Sequence, residues 1–319
     1  QPAFRRFKSE MNLAGFGSKI YDIWADRMIS RCKANPKAFK RSEAMGEKPH
    51  FAFLVLFDSG GLDCSELLHF KKYFDDQGMD FSIVDVRHLC IGEDGYFYGD
   101  ESLYGESMKP IDFAYNYLIY SDIMRHESEC SHFLSNLGLS NTDLFPFPLC
   151  FLIQDKTFLS VLQDASKSPV RCWKNHRILR TCGIGAGETD DAMLKRFKTC
   201  KSEYVLKPSS SYGGMGVVFG SSCDQDEWER LLDAAAKGRK GEFVIQEVGS
   251  DDGIFIIPIS PCAPKDMQEI RLKHASRVVG LFSICGGFAG AYVRAGFDNV
   301  VSGADSSYSC ASFYCSEMS

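Results

Sequence analysis

The sequence lacks the marks of several large protein classes. No apolar stretch in its 319 residues reaches the roughly 20 residues that a membrane-spanning helix needs. The opening residues, QPAFRRFKSE, contain no apolar core of a signal peptide. The formal net charge is -6, whereas a nucleic-acid-binding protein usually carries a basic surface. We therefore expect neither a membrane nor a nucleic acid as the main partner.

Cysteine is frequent, but its pattern excludes two uses. The 13 cysteines include no CxxC pair, so a zinc site is not indicated. Their odd number in a chain of this size argues against the disulfide framework of a small secreted protein. We expect reduced thiols in a cytoplasmic protein, most of them acting as small apolar side chains.

The first half of the chain has the pattern of a small parallel α/β domain. Helical spacing of apolar residues predicts a helix over 18–32, and the charged residues 33–49 read as a linker. The run HFAFLVLFD (50–58) predicts a strand that is buried on both faces. An amphipathic helix over 64–78 and a strand over 81–86 then complete a β-α-β unit.

Further elements are predicted downstream. They are a strand running into a helix (111–120), a helix beginning near Asp155, a mobile glycine-rich loop (183–191), a helix (223–238), a strand (242–248) and two antiparallel strands around Gly286-Gly287.

The stretch YVLKPSSSYGGMGVVFG (204–220) places Lys207 at the end of an apolar run, before a loop of serines and glycines. Backbone N–H groups in such a loop can hold an anion, and a lysine suits phosphate as a point charge. The spacing matches neither the Walker loop nor the G-x-G-x-x-G motif. The alternative is an ordinary hairpin with a glycine turn and an exposed lysine.

With the helix and the strand that follow it, this stretch resembles the nucleotide-binding part of ATP-grasp ligases over roughly residues 200–250. It is most similar to the circularly permuted branch, which includes glutathionylspermidine-synthetase-like and eukaryotic glutathione-synthetase-like proteins. Ser211 stands where glutathione synthetases carry a glutamate in the loop. The ATP-binding residues that the resemblance implies are Lys207 at the phosphates, Tyr212, Gly213, Gly214 and Gly216 in the flexible loop, and Gln246, Glu247 and Val248 around the adenine.

A permuted ATP-grasp chain is expected to carry its metal ligands before the lysines. Glu10 and Asn12 have the spacing that puts two side chains on one face of a strand, and their oxygens suit Mg²⁺. They resemble the E-x-N metal motif of the family. The family's further acidic ligand is not found in residues 1–9, which contain no acidic residue. The alternative is an exposed polar segment.

Two further basic residues fit the resemblance. ATP-grasp proteins hold phosphate with two lysines, and Lys156 matches the first of them, with Lys174 as the competing candidate. Arg294 matches an arginine that steadies the transferred phosphoryl group, a role that suits its forked guanidinium. The alternatives are a solvated helix residue for Lys156 and a surface residue for Arg294.

Asp58, Ser59 and Gly60 follow the predicted strand 50–58, at the edge where open α/β sheets bind ligands. They could contact a substrate amine or carboxylate, and a plain strand-to-helix turn is the alternative.

The expected fold is α/β (α+β), namely a circularly permuted ATP-grasp fold with a small parallel α/β substrate domain inserted before the lysine-bearing half. The expected domains are residues 1–45 with the metal ligands, 46–145 as the substrate domain and 146–319 as the nucleotide-binding and lid region. The expected activity is an ATP- and Mg²⁺-dependent carboxylate–amine ligase that forms an acyl phosphate, acting on an amino acid, peptide or polyamine. Two alternatives stay open, a degenerate ATP-binding regulatory or scaffold domain and a small-molecule kinase, as does the oligomeric state.

Overall fold

The chain has a mixed α/β structure. The computed structural model describes residues 14–15, 19–56, 64–163, 178–187, 189–249, 254–256, 273–301, 307–310 and 313–314. The helices of this part are α1 (Lys19–Lys33), α2 (Pro36–Met45), α3 (Ser65–Leu68), α4 (Lys71–Asp75), α5 (Tyr120–Arg125), α6 (Ser131–Asn136), α7 (Phe151–Gln154), α8 (Phe158–Gln163), α9 (Asp191–Thr199) and α10 (Gln225–Lys237). The strands are β1 (Ala14–Gly15), β2 (His50–Val55), β3 (Asp80–Asp85), β4 (Leu89–Ile91), β5 (Phe97–Gly99), β6 (Ser102–Tyr104), β7 (Pro110–Ile111), β8 (Phe113–Asn116), β9 (Asp143–Phe145), β10 (Thr181–Ile184), β11 (Tyr204–Pro208), β12 (Val218–Phe219), β13 (Phe243–Glu247), β14 (Ile254–Ile256), β15 (Lys273–Ile284), β16 (Gly287–Gly296), β17 (Ser307–Cys310) and β18 (Phe313–Tyr314).

The chain divides into two compact units. The first comprises Gln1–Phe151, Leu281–Gly290 and Phe313–Ser319, and the second comprises Leu152–Gly280 and Ala291–Ser312. Within the described segments, no helix combines the length and the apolar character that crossing a bilayer requires.

The first unit is built on a five-stranded sheet in the order β6-β3-β2-β8-β9. Strand β2 pairs in parallel with β3 and β8, and β8 pairs in parallel with β9. Every residue of β2 is buried, as a strand covered on both faces requires. The predicted parallel pairing of this strand with the next one is therefore confirmed.

Alternate residues of β2 serve two cores because successive side chains point to opposite faces. Phe51 and Phe53 belong to a cluster that contains Met28 of α1. Leu54 belongs to another cluster, which contains Phe133 of α6.

Two predictions for this unit need correction. The segment 33–49 is not a linker throughout, because it contains α2. Asn35 accepts a hydrogen bond from the Lys37 N–H as the N-cap, and Gly46 ends the helix with a φ of 68°. The helix predicted over 64–78 is interrupted by a turn, which separates α3 from α4.

The second unit contains an antiparallel sheet in the order β10-β13-β11-β12. Its core is a cluster around Trp228 and Leu232 of α10 and Phe197 of α9, all buried. The predicted helix 223–238 and strand 242–248 are confirmed as α10 and β13. The prediction of a loop over 183–191 is wrong at both ends, because β10 extends to Ile184 and pairs with β13, and α9 begins at Asp191.

Strands β14 to β17 form a further sheet, in the order β14-β15-β16-β17. Strands β15 and β16 are joined by a tight turn in which Cys285 and Gly286 have φ values of 49° and 77°. This hairpin confirms the prediction of two strands around Gly286-Gly287. Separately, β1 pairs antiparallel with β18, with Ala14 opposite Tyr314.

Candidate functional site

The two faces of the sheet in the second unit differ in character. In antiparallel pairs, opposed residues share a face and successive residues alternate between faces. Leu206 and Ile245 belong to the apolar cluster under the helices. Lys207 follows Leu206 in β11 and Gln246 follows Ile245 in β13, so both lie on the other face. Thr181 lies there too, because it stands opposite Gln246.

A chain of hydrogen bonds runs across this second face. The ammonium of Lys207 donates to Gln246 Oε1 at 2.7 Å. Gln246 Nε2 donates to Thr181 Oγ1 at 2.7 Å, and Thr181 Oγ1 donates to the Leu179 carbonyl at 2.9 Å. Lys207, which the sequence predicted at a phosphate, is thus half-buried and held in one orientation by the neighbouring strand.

The second predicted lysine contacts the loop that follows β11. Lys156 lies in the turn between α7 and α8, and its ammonium donates to the carbonyls of Pro208 (2.9 Å), Ser209 (3.2 Å) and Ser211 (2.6 Å). The Lys156 backbone N–H also donates to the Ser209 carbonyl at 3.1 Å. This side chain therefore holds the start of the glycine loop.

Asp155 adds a second contact to the same loop. Its carboxylate accepts hydrogen bonds from Ser210 Oγ at 2.9 Å and from the Thr157 backbone N–H at 2.8 Å. Although burial acts in the opposite direction, the hydrogen bonds from Thr157 and Ser210 bring the pKa of Asp155 below its ordinary value. The carboxylate is therefore kept in its ionised, accepting form.

The two lysines of the site carry positive charge although burial disfavours the charged form of both. Burial, and then the nearby charge of Lys156, lower the pKa of Lys207. Burial also lowers the pKa of Lys156, against the opposing effect of Asp155. No carboxylate of the described segments lies within ion-pair distance of either ammonium. A bound anion would offset both the desolvation of the two ammonium groups and their mutual repulsion.

The glycines of the loop adopt the left-handed backbone region. Gly213, Gly214 and Gly216 have φ values of 64°, 80° and 71°. A Cβ on Gly216 would lie 2.7 Å from Cγ of Pro208, so this position also requires a close approach. The loop at Tyr212 is partly exposed. Such a backbone can turn its N–H groups toward a phosphate, as the resemblance implies.

The residues predicted around an adenine lie at the end of β13. Gln246 already binds Lys207, whereas the backbone N–H groups of Glu247 and Val248 donate to the carbonyls of Arg180 and Glu203, each at 2.8 Å. These contacts fix the strand end. The predicted contacts with an adenine remain predictions.

Arg294 lies in β16, opposite Ser309 of β17. Its guanidinium carbon is 5.9 Å from the ring centre of Tyr292. The predicted role of Arg294 at a phosphoryl group stays a prediction.

The remaining predicted residues fall in parts of the chain that the structure does not describe. They are Glu10, Asn12, Asp58, Ser59, Gly60 and the competitor Lys174. Among the residues that are described, no group of three His, Cys, Asp or Glu side chains could hold a metal ion.

Sequence reasoning missed two residues of the hydrogen-bond chain. Thr181 lies 65 positions before its partner Gln246. It begins the strand β10, whose last residues were predicted as part of a loop because of the nearby glycines. Gln163, at the end of α8, donates to the Leu179 carbonyl at 2.6 Å and accepts from the Thr181 N–H at 3.1 Å. The register of β10 against β13 brings Thr181 to Gln246, and the position of α8 beside β10 brings Gln163 to Thr181.

No family model and no curated protein matches the chain. Solved structures do match it. D-cycloserine synthetase DcsG is 14% identical with a TM-score of 0.48, over 82% of this chain and 75% of that one. The VanG D-Ala:D-Ser ligase from Enterococcus faecalis is 10% identical with a TM-score of 0.39, over 78% and 76%. The D-alanine-D-alanine ligase from Coxiella burnetii is 11% identical with a TM-score of 0.37, over 83% and 85%. With TM-scores below 0.5, these likenesses assign no activity to the chain.

Proposed function

We propose that the chain is an ATP-dependent carboxylate–amine ligase with a circularly permuted ATP-grasp fold. One observation carries the proposal: Lys207 and Lys156, both half-buried, lie near each other beside a glycine loop, and Lys207 lies on the face of the sheet away from α9 and α10. Two close, partly desolvated ammonium groups without carboxylate partners in the described residues form a site for a polyanion.

The loop supplies the second requirement of a triphosphate site. Three glycines in the left-handed region allow its backbone N–H groups to approach phosphate oxygens closely. Lys156 and Asp155 hold the beginning of the loop, at Ser211 and Ser210. Lys207 therefore binds phosphate directly, and Lys156 adds positive charge while it keeps the loop folded.

The pairing of β1 with β18 supports the permutation. The described parts of the opening and closing segments meet in a separate two-stranded pairing with Ala14 opposite Tyr314, and a permuted chain requires these segments to meet. Glu10 and Asn12, two to four positions before β1, would hold Mg²⁺ through their side-chain oxygens. When bound, Mg²⁺ would supply charge neutralisation between phosphate oxygens. The division into domains 1–45, 46–145 and 146–319 belongs to the same proposal.

The reaction has two steps. An oxygen of the substrate carboxylate attacks the γ-phosphorus and the bond to the bridging oxygen breaks. ADP is the leaving group, and the substrate becomes an acyl phosphate. The amine nitrogen attacks the acyl carbon, the carbon–oxygen bond to phosphate breaks, and the nitrogen loses a proton as the amide forms. Lys207 and Arg294 stabilise the charge on the transferred group, and the loop excludes water from the acyl phosphate.

The test is phosphate release from Mg-ATP with a panel of amino acids, short peptides and polyamines. We expect release with one carboxylate–amine pair, and loss of at least about a hundredfold in Lys207→Met, as for other groups that stabilise transferring charge. Lys195→Met, which changes an exposed lysine of α9, is the matched control and should retain activity.

The other outcomes identify the two alternatives. ATP binding without phosphate release would point to a regulatory or scaffold domain. A stable phosphorylated product without an amide would point to a kinase.

A further inference from the structure

The hydrogen-bond chain on the lysine face has only one possible direction. Lys207 at one end is an ammonium and can only donate, whereas the Leu179 carbonyl at the other end can only accept. The Thr181 hydroxyl therefore donates its proton to the Leu179 carbonyl, and its oxygen accepts a hydrogen bond from Gln246. Only the Gln246 NH₂ group can donate that hydrogen bond, which leaves Oε1 for Lys207.

We infer that Thr181 is a positioning residue for the nucleotide site, because it sets the orientation of the Gln246 amide and thereby the position of the Lys207 ammonium. Thr181 is buried and its hydroxyl is the side-chain partner of Gln246 Nε2. The inference rests on the proposed function, in which Lys207 binds phosphate. It assigns Gln246 a role at the lysine rather than only at the base.

Gln163 strengthens the assignment by fixing Thr181 itself. Its amide donates to the same Leu179 carbonyl and accepts from the Thr181 backbone N–H. The threonine is thus held through both its backbone and its hydroxyl. A positioning group of this kind needs a locked rotamer, and the hydrogen bond from the Thr181 hydroxyl to the Leu179 carbonyl, which Gln163 also binds, holds that rotamer.

Removing the hydroxyl frees the amide to rotate. In Thr181→Val the volume is nearly unchanged, but Gln246 loses the acceptor for its NH₂ group. Its unpaired NH₂ group would draw the amide towards another acceptor and move Oε1 away from the Lys207 ammonium. Lys207 would then lose its acceptor, and its charged form would be less stable.

The experiment measures two quantities in the full chain: ATP affinity by calorimetry, and the pKa of Lys207 by NMR of ¹³C-labelled lysine. We expect Thr181→Val to weaken ATP binding roughly tenfold, as the loss of a hydrogen bond to a charged group does, and to lower the pKa of Lys207 further. Thr181→Ser keeps a hydroxyl and should restore both quantities. Thr199→Val, which makes the same change on the exposed end of α9, should leave both unaltered.

Gln246→Met provides a second variant in case Thr181→Val does not fold. It removes the amide at similar size and should also lower the pKa of Lys207.

The outcomes separate the two proposals. If the unaltered protein does not bind ATP, the proposed function fails. If it binds ATP and Thr181→Val matches it in both affinity and the pKa of Lys207, the inference about Thr181 is overturned while the proposed function stands. Loss in Thr181→Val without recovery in Thr181→Ser would also overturn it, since a hydroxyl would then not be what matters.

Discussion

Lys156 is predicted to keep the glycine loop closed before any nucleotide binds. Its ammonium donates to the carbonyls of Pro208, Ser209 and Ser211, at 2.6 to 3.2 Å. Lys156→Met keeps the length of the side chain and removes all three contacts. The loop should then open more often, because its first carbonyls lose the ammonium that draws them together.

The expected magnitude follows from the number and setting of these contacts. Hydrogen bonds to a charged group contribute about 1.5–3 kcal/mol, and Lys156 is only half-buried, so solvent reduces their combined effect. We take a net value of about 1.5–2 kcal/mol for the whole residue. Since 1.4 kcal/mol is a factor of ten, the opening equilibrium should shift roughly ten- to thirtyfold.

Hydrogen exchange of the loop amides reads this shift directly. The reporters are the N–H groups of Met215 and Val217, which donate within the loop to Tyr212 and Gly214. They should exchange faster in Lys156→Met by about the same factor. The control is Lys207→Met, because the ammonium of Lys207 bonds to a side chain of β13 and not to the loop. Equal protection in Lys156→Met and the unaltered protein would refute the reasoning.

Two further predictions concern backbone strain and pH. Gly216→Ala should weaken ATP binding in calorimetry and stability in urea more than Gly213→Ala does. Both variants incur left-handed strain of about 1–2 kcal/mol, but only Gly216→Ala would place a Cβ 2.7 Å from Pro208. Equal losses would contradict this. Burial lowers the pKa of His50 below its ordinary value of 6.5, and its ring contacts Ser82 at 2.9 Å. Stability in urea should therefore be complete above that ordinary value and fall as the pH drops below it towards the folded pKa, with a smaller slope in His50→Gln. An unchanged slope in that variant would exclude His50 as the cause.

Much of the architecture was predictable because it depends on local pattern. The apolar run of β2 required burial on both faces, and the parallel sheet around it follows. The helix α10 has a capping Asp224 and apolar residues at helical spacing. By contrast, α2 was missed because its polar composition hid the Asn35 cap and the Pro36 start.

The candidate site was predictable only in part. Lys207 and the glycines could be selected because their residue types suit phosphate at that spacing. The role of Lys156 at the loop carbonyls and that of Thr181 beside Gln246 depend on contacts between residues 52 to 65 positions apart. No local pattern contains such contacts, because they follow from how the strands and the turn pack.

The most direct test of the central claim is a calorimetric titration of the full chain with ATP, compared with Lys207→Met. The account predicts saturable binding that weakens at least about tenfold when the ammonium is removed, while the fold, followed by circular dichroism, is preserved. Equal binding by the two proteins, or no binding by the unaltered chain, would contradict it.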